Sequence, residues 1–364
     1  MTPPSDPQTP RDGLTLARLD RRAFLRSAGW TGAAVVLGGI GLTACGGDDD
    51  SGDASASGSG SSGSASPTAL SYQLSWLPTV EHAGAYAAID KGYYADEGLD
   101  VTLLPGGPNV QVAANITGGQ SLVGATGADN FASAVLEGAP LKIFAARLQR
   151  NAFCIVSPAG APISSPEELI GKRIGVAQAN TTPWQLFLGL NEIDEGDIEV
   201  VPVQFDPSPV ANGEVDGQMV FYVNEPAQLE VSGVETHSML FADFGFALYG
   251  GCYAATTDTI AEQGELLAGF LRAERLGWAD ALADAAYARD LTIEGLGADA
   301  GLDPEQQLLQ AERMADLMAT DLTEEEGLLY LGADDIEANI ATLGASGLDI
   351  TADDLFTTEI LDRL

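Results

Sequence analysis

Leu70-Ser71-Tyr72-Gln73-Leu74-Ser75-Trp76 alternates apolar and polar residues, Leu77-Pro78-Thr79 breaks the run, His82 to Lys91 has helical periodicity ending near Gly92, and Asp100-Val101-Thr102-Leu103-Leu104 resumes strand character. A period near two followed by a period near 3.6 and a return to two spells a β-α-β unit. The pattern continues outward. Pro105-Gly106-Gly107-Pro108 closes the second strand, and Asn109 to Ile116 reads as a helix with Asn109 as its N-cap. Leu122 to Thr126, Asp129 to Leu136 and Leu141 to Ala146 add a strand, a helix and a strand. Alternation of this kind gives a mainly parallel sheet covered by helices.

A second α/β lobe is expected as an insertion. Phe153 to Val156 reads as a strand leaving the first lobe, and Ser165-Pro166-Glu167-Glu168 opens a helix with Pro at its first position. Arg173 to Ala177, Val200 to Val203, Gln218 to Tyr222 and Met239 to Phe241 read as strands, Thr182-Pro183 opens a helix, and Gly251 to Ala255 carries the chain back. From Asp258 the pattern is helical and is expected to wrap the first lobe. The expected division is residues 69–152 with 252–364 for lobe 1 and 153–251 for lobe 2. In such sheets ligands sit beyond the carboxyl ends of strands, so the expected site is the cleft onto which both lobes aim their loops.

The N-terminus reads as processing signal rather than fold. Asp20-Arg21-Arg22-Ala23-Phe24-Leu25-Arg26 resembles a twin-arginine export motif, and the apolar run from Ala28 to Leu42 is shorter than the roughly 20 residues a membrane-spanning helix needs. It ends in Leu42-Thr43-Ala44-Cys45, which resembles a lipobox and implies diacylation of Cys45 and cleavage at its N-terminal side, removing residues 1–44. Residues 45–68 are then the lipidated cysteine and a linker of Gly, Ser, Ala and Asp, a flexible tether with a reach on the order of 25 Å. Gly58-Ser59-Gly60-Ser61-Ser62-Gly63 matches a dinucleotide-binding pattern by composition only, having no strand before it and no apolar helix after it.

Charge and rare residues exclude several functions. The sequence holds 53 acidic and 16 basic residues, a formal net charge of −37. Nucleic acid is not a partner for such a chain, because phosphate neutralisation needs a basic face. Two histidines, His82 and His237, and two cysteines beyond Cys45, Cys154 and Cys252, offer no zinc-ligand spacing, and no Gly-x-Ser-x-Gly elbow occurs. Cys154 and Cys252 fall on the two expected crossing strands. Export permits a disulfide there, and two free buried thiols are the plainer expectation.

Ser75-Trp76-Leu77-Pro78-Thr79, His82, Lys91-Gly92-Tyr93-Tyr94 and Glu97-Gly98-Leu99-Asp100-Val101 resemble the opening of the NMT1/THI5-like solute-binding family. Ser165-Pro166-Glu167-Glu168-Leu169, Gly171-Lys172-Arg173-Ile174-Gly175, Gly213-Glu214-Val215-Asp216-Gly217 and Tyr222-Val223-Asn224-Glu225-Pro226 extend the likeness to about Arg275. The resemblance implies a type II periplasmic-binding-protein fold, two α/β lobes joined by two crossing strands with the ligand cleft between them. It implies a lipid-anchored, monomeric protein on the outer face of the cell membrane that captures a small solute for an ABC permease and ATPase, without cofactor or metal. The expected solute is a thiamine-pathway pyrimidine or similar flat heteroaromatic; a binder of sulfonate, taurine or nitrate-type anions or of riboflavin, or a tethered ligand sensor without transport, is the alternative. Relatives take thiamine-pathway pyrimidines, riboflavin, nitrate, sulfonates or taurine. Fungal members make the thiamine pyrimidine from their own histidine and a lysine-bound pyridoxal phosphate. Aligned on them, this sequence places Thr126 at the lysine and Asn130 at the histidine, and Leu248-Tyr249-Gly250-Gly251-Cys252 keeps one of their cysteines. Thr126 cannot form a Schiff base and Asn130 has no imidazole, so no enzyme is expected.

Ligand-binding candidates follow. Trp76 ends the first strand, where an indole can stack on a flat ring; a core tryptophan is the alternative. His82 opens a helix facing the same cleft. Asn130 can donate and accept, whereas Asp129 beside it reads as an N-cap. Asn180, Thr181 and Thr182 lie between a strand and a helix N-terminus whose N–H groups can receive an acceptor. Tyr222, Asn224 and Glu225 form the opposite wall, where a buried carboxylate suits an exocyclic amine and repels a sulfonate; a helix-start Glu favoured by the dipole is the alternative.

Overall fold

In the computed structural model the chain is described over residues 66–364. The expected export motif, the lipidation site Cys45 and nearly all of the linker lie outside these residues. No helix among the described residues is long and apolar enough to cross a membrane.

The opening unit folds as its periodicity predicts. Strand β1 (Thr68–Gln73) leads through a 3-10 turn (Val80–His82), α1 (Ala83–Asp90) and the single turn α2 (Tyr93–Asp96) to β2 (Leu99–Leu104), which pairs parallel to β1. Helix α3 (Val112–Thr117), β3 (Val123–Thr126), α4 (Ala128–Leu136) and β4 (Leu141–Leu148) follow. With the returning strand β10 (Gly250–Thr256) they complete a five-stranded sheet of order β2-β1-β3-β10-β4, in which β10 runs antiparallel to both neighbours. The core-facing residues of β4 are all but fully buried, as a strand covered on both faces requires.

The second sheet is built from β5 (Phe153–Pro158), β6 (Arg173–Ala177), α5 (Thr181–Leu190), β7 (Glu199–Val203), α6 (Ser208–Ala211), β8 (Gly217–Phe221), α7 (Glu225–Val231) and β9 (Thr236–Leu240), in the strand order β7-β6-β8-β5-β9. Beside it Phe187 of α5 stacks on Phe241, which follows β9, with the rings 3.6 Å apart and nearly parallel. Here the structure differs from the sequence expectation. The stretch from Phe153 does not cross between lobes as a strand; it pairs along its length with β8 and β9 inside the second sheet. Residues 149–152 and 241–249 make the two crossings. Cys154 therefore sits in one sheet and Cys252 in the other, both as free buried thiols, and no disulfide ties the crossing.

Helices α8 (Thr257–Glu262), α9 (Gly264–Ala283), α10 (Ala285–Glu294), α11 (Pro304–Met318), α12 (Asp321–Glu326), α13 (Ala333–Ala345) and α14 (Ala352–Leu355) form the C-terminal part. Helix α9 lies so close on α1 that a methyl group on Gly277 would come within 2.1 Å of the Gly84 carbonyl oxygen. This tail packs on the first lobe, as expected, and reaches further: α11 also packs on α7, and α13 on α5, both helices beside the second sheet. Beneath α9 the fully buried Glu274 accepts hydrogen bonds from the hydroxyls of Tyr94 and, at 2.8 Å, Tyr253, so a buried carboxylate is compensated in place.

Candidate functional site

The carboxyl ends of parallel strands in both sheets converge on one cleft of about 410 Å³. The first sheet supplies Ser75 and Trp76 after β1, Gly107 and Pro108 after β2, and Thr126, Asp129 and Asn130 from the end of β3 and the start of α4. The second supplies Asn180 and Thr182 after β6, Phe205 after β7, and Phe221, Asn224 and Glu225 after β8, while Phe153 and Val220 form part of the floor. No lysine, arginine or histidine lines it among the described residues.

Trp76 projects beyond its strand rather than into the core, and its indole meets the ring of Phe205 edge-on across the cleft, centroids 5.3 Å apart at 69°. The two lobes thus present two aromatic faces at the same place. Gly106 lets the loop after β2 pack against the Trp76 backbone, since a methyl group there would lie 2.4 Å from the Trp76 backbone nitrogen. The same packed loop delays the next helix: α3 starts at Val112 with Gln111 before it, so Asn109 is not an N-cap. Asp129 is not one either. Gly127 holds that position, and Asp129 sits within the first turn of α4, accepting a 3.3 Å hydrogen bond from Asn130 Nδ2.

Glu225 occupies the first turn of α7, 9% exposed, with its Oε2 accepting a 3.0 Å hydrogen bond from the Phe221 backbone N–H. Burial pushes its carboxyl up to about 7, partly offset by that bond and reinforced by the nearby charge of Glu81. Glu81, 4% exposed, comes from the 3-10 turn of the first lobe. Its carboxyl is also raised by burial, and the Arg147 charge and a hydrogen bond from Asn224 oppose the shift. That bond, Asn224 Nδ2 to Glu81 Oε1 at 2.8 Å, spans the cleft between residues 143 positions apart. The site therefore offers hydrogen-bond acceptors from both lobes between aromatic faces, a setting for planar rings carrying N–H donors.

Three candidates from the sequence do not line the cleft. His82 follows Glu81 in the same turn but points inward. It is 1% exposed, with Nδ1 3.3 Å from Arg147 Nη1, and burial followed by the Arg147 charge holds its imidazole well below the usual range. Thr181 turns back to donate to the Gln178 carbonyl at 2.9 Å. Tyr222 leaves the cleft, donating to Asp316 Oδ2 at 3.0 Å with its ring 5.7 Å from the Arg313 guanidinium. Trp76, Asn130, Asn180, Thr182, Asn224 and Glu225 do line it. Glu81, Asp129 as a lining carboxylate, Phe153 and Phe205 were not read from the sequence. The signal for Glu81 was its place beside His82 in a turn that follows a strand end.

The NMT1/THI5 like family model matches residues 79–288, more than half of the chain and including residues from both walls of the cleft. The chain belongs to the NMT1/THI5-like family. Riboflavin-binding protein RibY of Chloroflexus aurantiacus is 28% identical over 261 residues, covering 70% of this chain and 74% of that protein. The formylaminopyrimidine-binding protein of Halalkalibacterium halodurans is 25% identical over 213 residues, 56% of this chain and 64% of that protein. Among solved structures, the periplasmic aliphatic sulphonate binding protein SsuA of Escherichia coli superposes with a TM-score of 0.60 at 16% identity, covering 78% of this chain and 87% of that one. The NMT1/THI5-like chain thus has the type II periplasmic-binding-protein fold, as its sequence leads one to expect. These three relatives are named as binding proteins, for riboflavin, a formylaminopyrimidine and aliphatic sulphonates.

Proposed function

We propose that this chain is the solute-binding component of an ABC importer, held on the outer face of the cell membrane through a lipid on Cys45, and that its cleft takes a flat heteroaromatic solute bearing N–H donors, such as a thiamine-pathway pyrimidine. The observation that carries this reading is the lining itself: Trp76 and Phe205 meet edge to face, Glu81 and Glu225 supply acceptors, and among the described residues no cationic side chain lines the cleft. A ring stacked on one of these aromatic faces gains about 0.5–1.5 kcal/mol beyond its buried area. A sulfonate or nitrate would meet buried carboxylates with no guanidinium or ammonium to compensate. Residues 45–68 would act as a tether between the anchor and the two lobes, 69–152 with 252–364 and 153–251. A binding role without chemistry fits Thr126 and Asn130, which cannot do the lysine and histidine chemistry of the family's enzymes.

Riboflavin is a second reading, supported by the likeness to RibY over 70% of this chain. Its ring system is also flat.

Trp76 reports directly on both readings. Trp184 and Trp278 are fully buried, which leaves Trp76 as the indole at the cleft among the described residues. Its fluorescence is expected to change saturably on titration with 4-amino-5-hydroxymethyl-2-methylpyrimidine or riboflavin, and Trp76→Phe should abolish the signal. A saturable response to taurine, an alkanesulfonate or nitrate, with none to the heteroaromatics, would overturn the assignment of solute class.

A further inference from the structure

Glu81 has a part that neither its sequence position nor the family likeness assigns. It is a buried carboxylate of the first lobe, it lines the same cleft as Glu225 of the second, and its charge adds to the rise of the Glu225 carboxyl. A buried anion survives only where something holds it. Arg147 supplies charge from below without reaching the cleft surface, and Asn224 supplies the hydrogen bond from across it. Asn224 itself is left incomplete: its Oδ1 is buried with no hydrogen-bond partner among the described residues. Asn224 and two carboxylates from opposite lobes therefore line the same cleft as Trp76 and Phe205. An unpaired buried acceptor costs on the order of 1–3 kcal/mol until a donor reaches it, so these groups together call for a donor-rich solute.

We propose that Glu81 is a second recognition carboxylate, aimed by Asn224, and that the solute is gripped by donating one N–H to Glu225 and another to Glu81, one to each lobe. This rests on the reading of the cleft as a heteroaromatic site and narrows it. An exocyclic amine carries two N–H groups on one nitrogen and suits this arrangement. The imide edge of a flavin reads acceptor, donor, acceptor, and would turn carbonyl oxygens toward the carboxylates. The cleft accordingly selects an aminopyrimidine over riboflavin, and Asn224 is a positioning residue for that choice.

The test uses calorimetric titration of the full chain at pH 8 with three probes: 4-amino-5-hydroxymethyl-2-methylpyrimidine, its analogue lacking the 4-amino group, and riboflavin. The wild-type chain should prefer the aminopyrimidine to both. Glu81→Gln keeps the shape and removes the charge; it should weaken the aminopyrimidine about tenfold, charge-assisted hydrogen bonds being roughly twice as strong as neutral ones, while changing the des-amino analogue by less than about threefold. Asn224→Ala should narrow the same ratio by a smaller factor, which gives a second variant should Glu81→Gln fail to fold. Equal weakening of the amino and des-amino probes would make Glu81 merely structural and overturn the proposal. A wild-type chain that binds riboflavin and not the aminopyrimidine would overturn it too, leaving the heteroaromatic reading in place. A chain that binds none of the three overturns both.

Discussion

Glu225 sits at 9% exposure with a carboxyl raised to about 7 from an ordinary value of 4.5, burial being the main cause. The folded chain therefore holds that proton more tightly than the unfolded chain between pH 4.5 and 7. Its contribution to stability falls as pH rises through that window, and the full burial cost is felt above pH 7. Glu225→Gln should accordingly raise stability at pH 8 by on the order of 1–3 kcal/mol and give no gain at pH 4.5, read from urea unfolding at the two values. His82 has the opposite sign, its lowered pKa costing stability as pH falls, and it cancels in the comparison of variant with wild type. A variant less stable than wild type at pH 8 would show that the carboxylate is paired more strongly than burial penalises it. Residue identity was legible where a strand end fixed direction, as at Trp76 and Glu225. It failed in the turns. Successive residues there point to different sides: the sequence placed the break at 77–79 and a helix from His82, the 3-10 turn at 80–82 was not read, and within it Glu81, not His82, lines the cleft.

At the scale of elements, the strands were readable because apolar runs of five or six residues between turn signals have few other uses. Helix starts were less readable. Asn109 and Asp129 are good capping residues by type, yet the loop around Gly106 is committed to packing on Trp76 and the cap before α4 is Gly127. Two helices show how backbone proximity decides a sequence choice. Gly277 of α9 faces the carbonyl of Gly84 in α1, and a methyl group on Gly84 would lie 2.3 Å from the Trp278 ring. Gly277→Ala is expected to push α9 away from α1 and cost about 1–3 kcal/mol, a typical overpacking penalty. The measurement is the midpoint of urea unfolding. A gain in stability, as helix propensity alone would give for an exposed site, would mean the two helices do not approach so closely.

Over the whole molecule, composition argued against nucleic acid as a partner and said nothing about where the chain binds its solute. The net charge of −37 belongs to the sequence as a whole, whereas the acidity at the cleft is the pair Glu81 and Glu225, contributed by different lobes and invisible as a pair until the lobes are brought together. The two-lobe plan was legible from its alternation of elements. The routing of the tail was not, because an amphipathic helix shows that one face is buried without showing against what. Arg313 and Asp316 of α11 meet Glu230 and Tyr222 of the second lobe, so the tail ties the two halves together on a side other than the cleft. A solute binding both walls adds stability by mass action, about 2.7 kcal/mol at a hundred times its dissociation constant. The measurement that tests the account most directly is a crystal structure of the chain grown with 4-amino-5-hydroxymethyl-2-methylpyrimidine. The account predicts the ring against Trp76 with its amine between Glu81 and Glu225. A ring bound elsewhere, or one in the cleft with its amine turned away from both carboxylates, would contradict it.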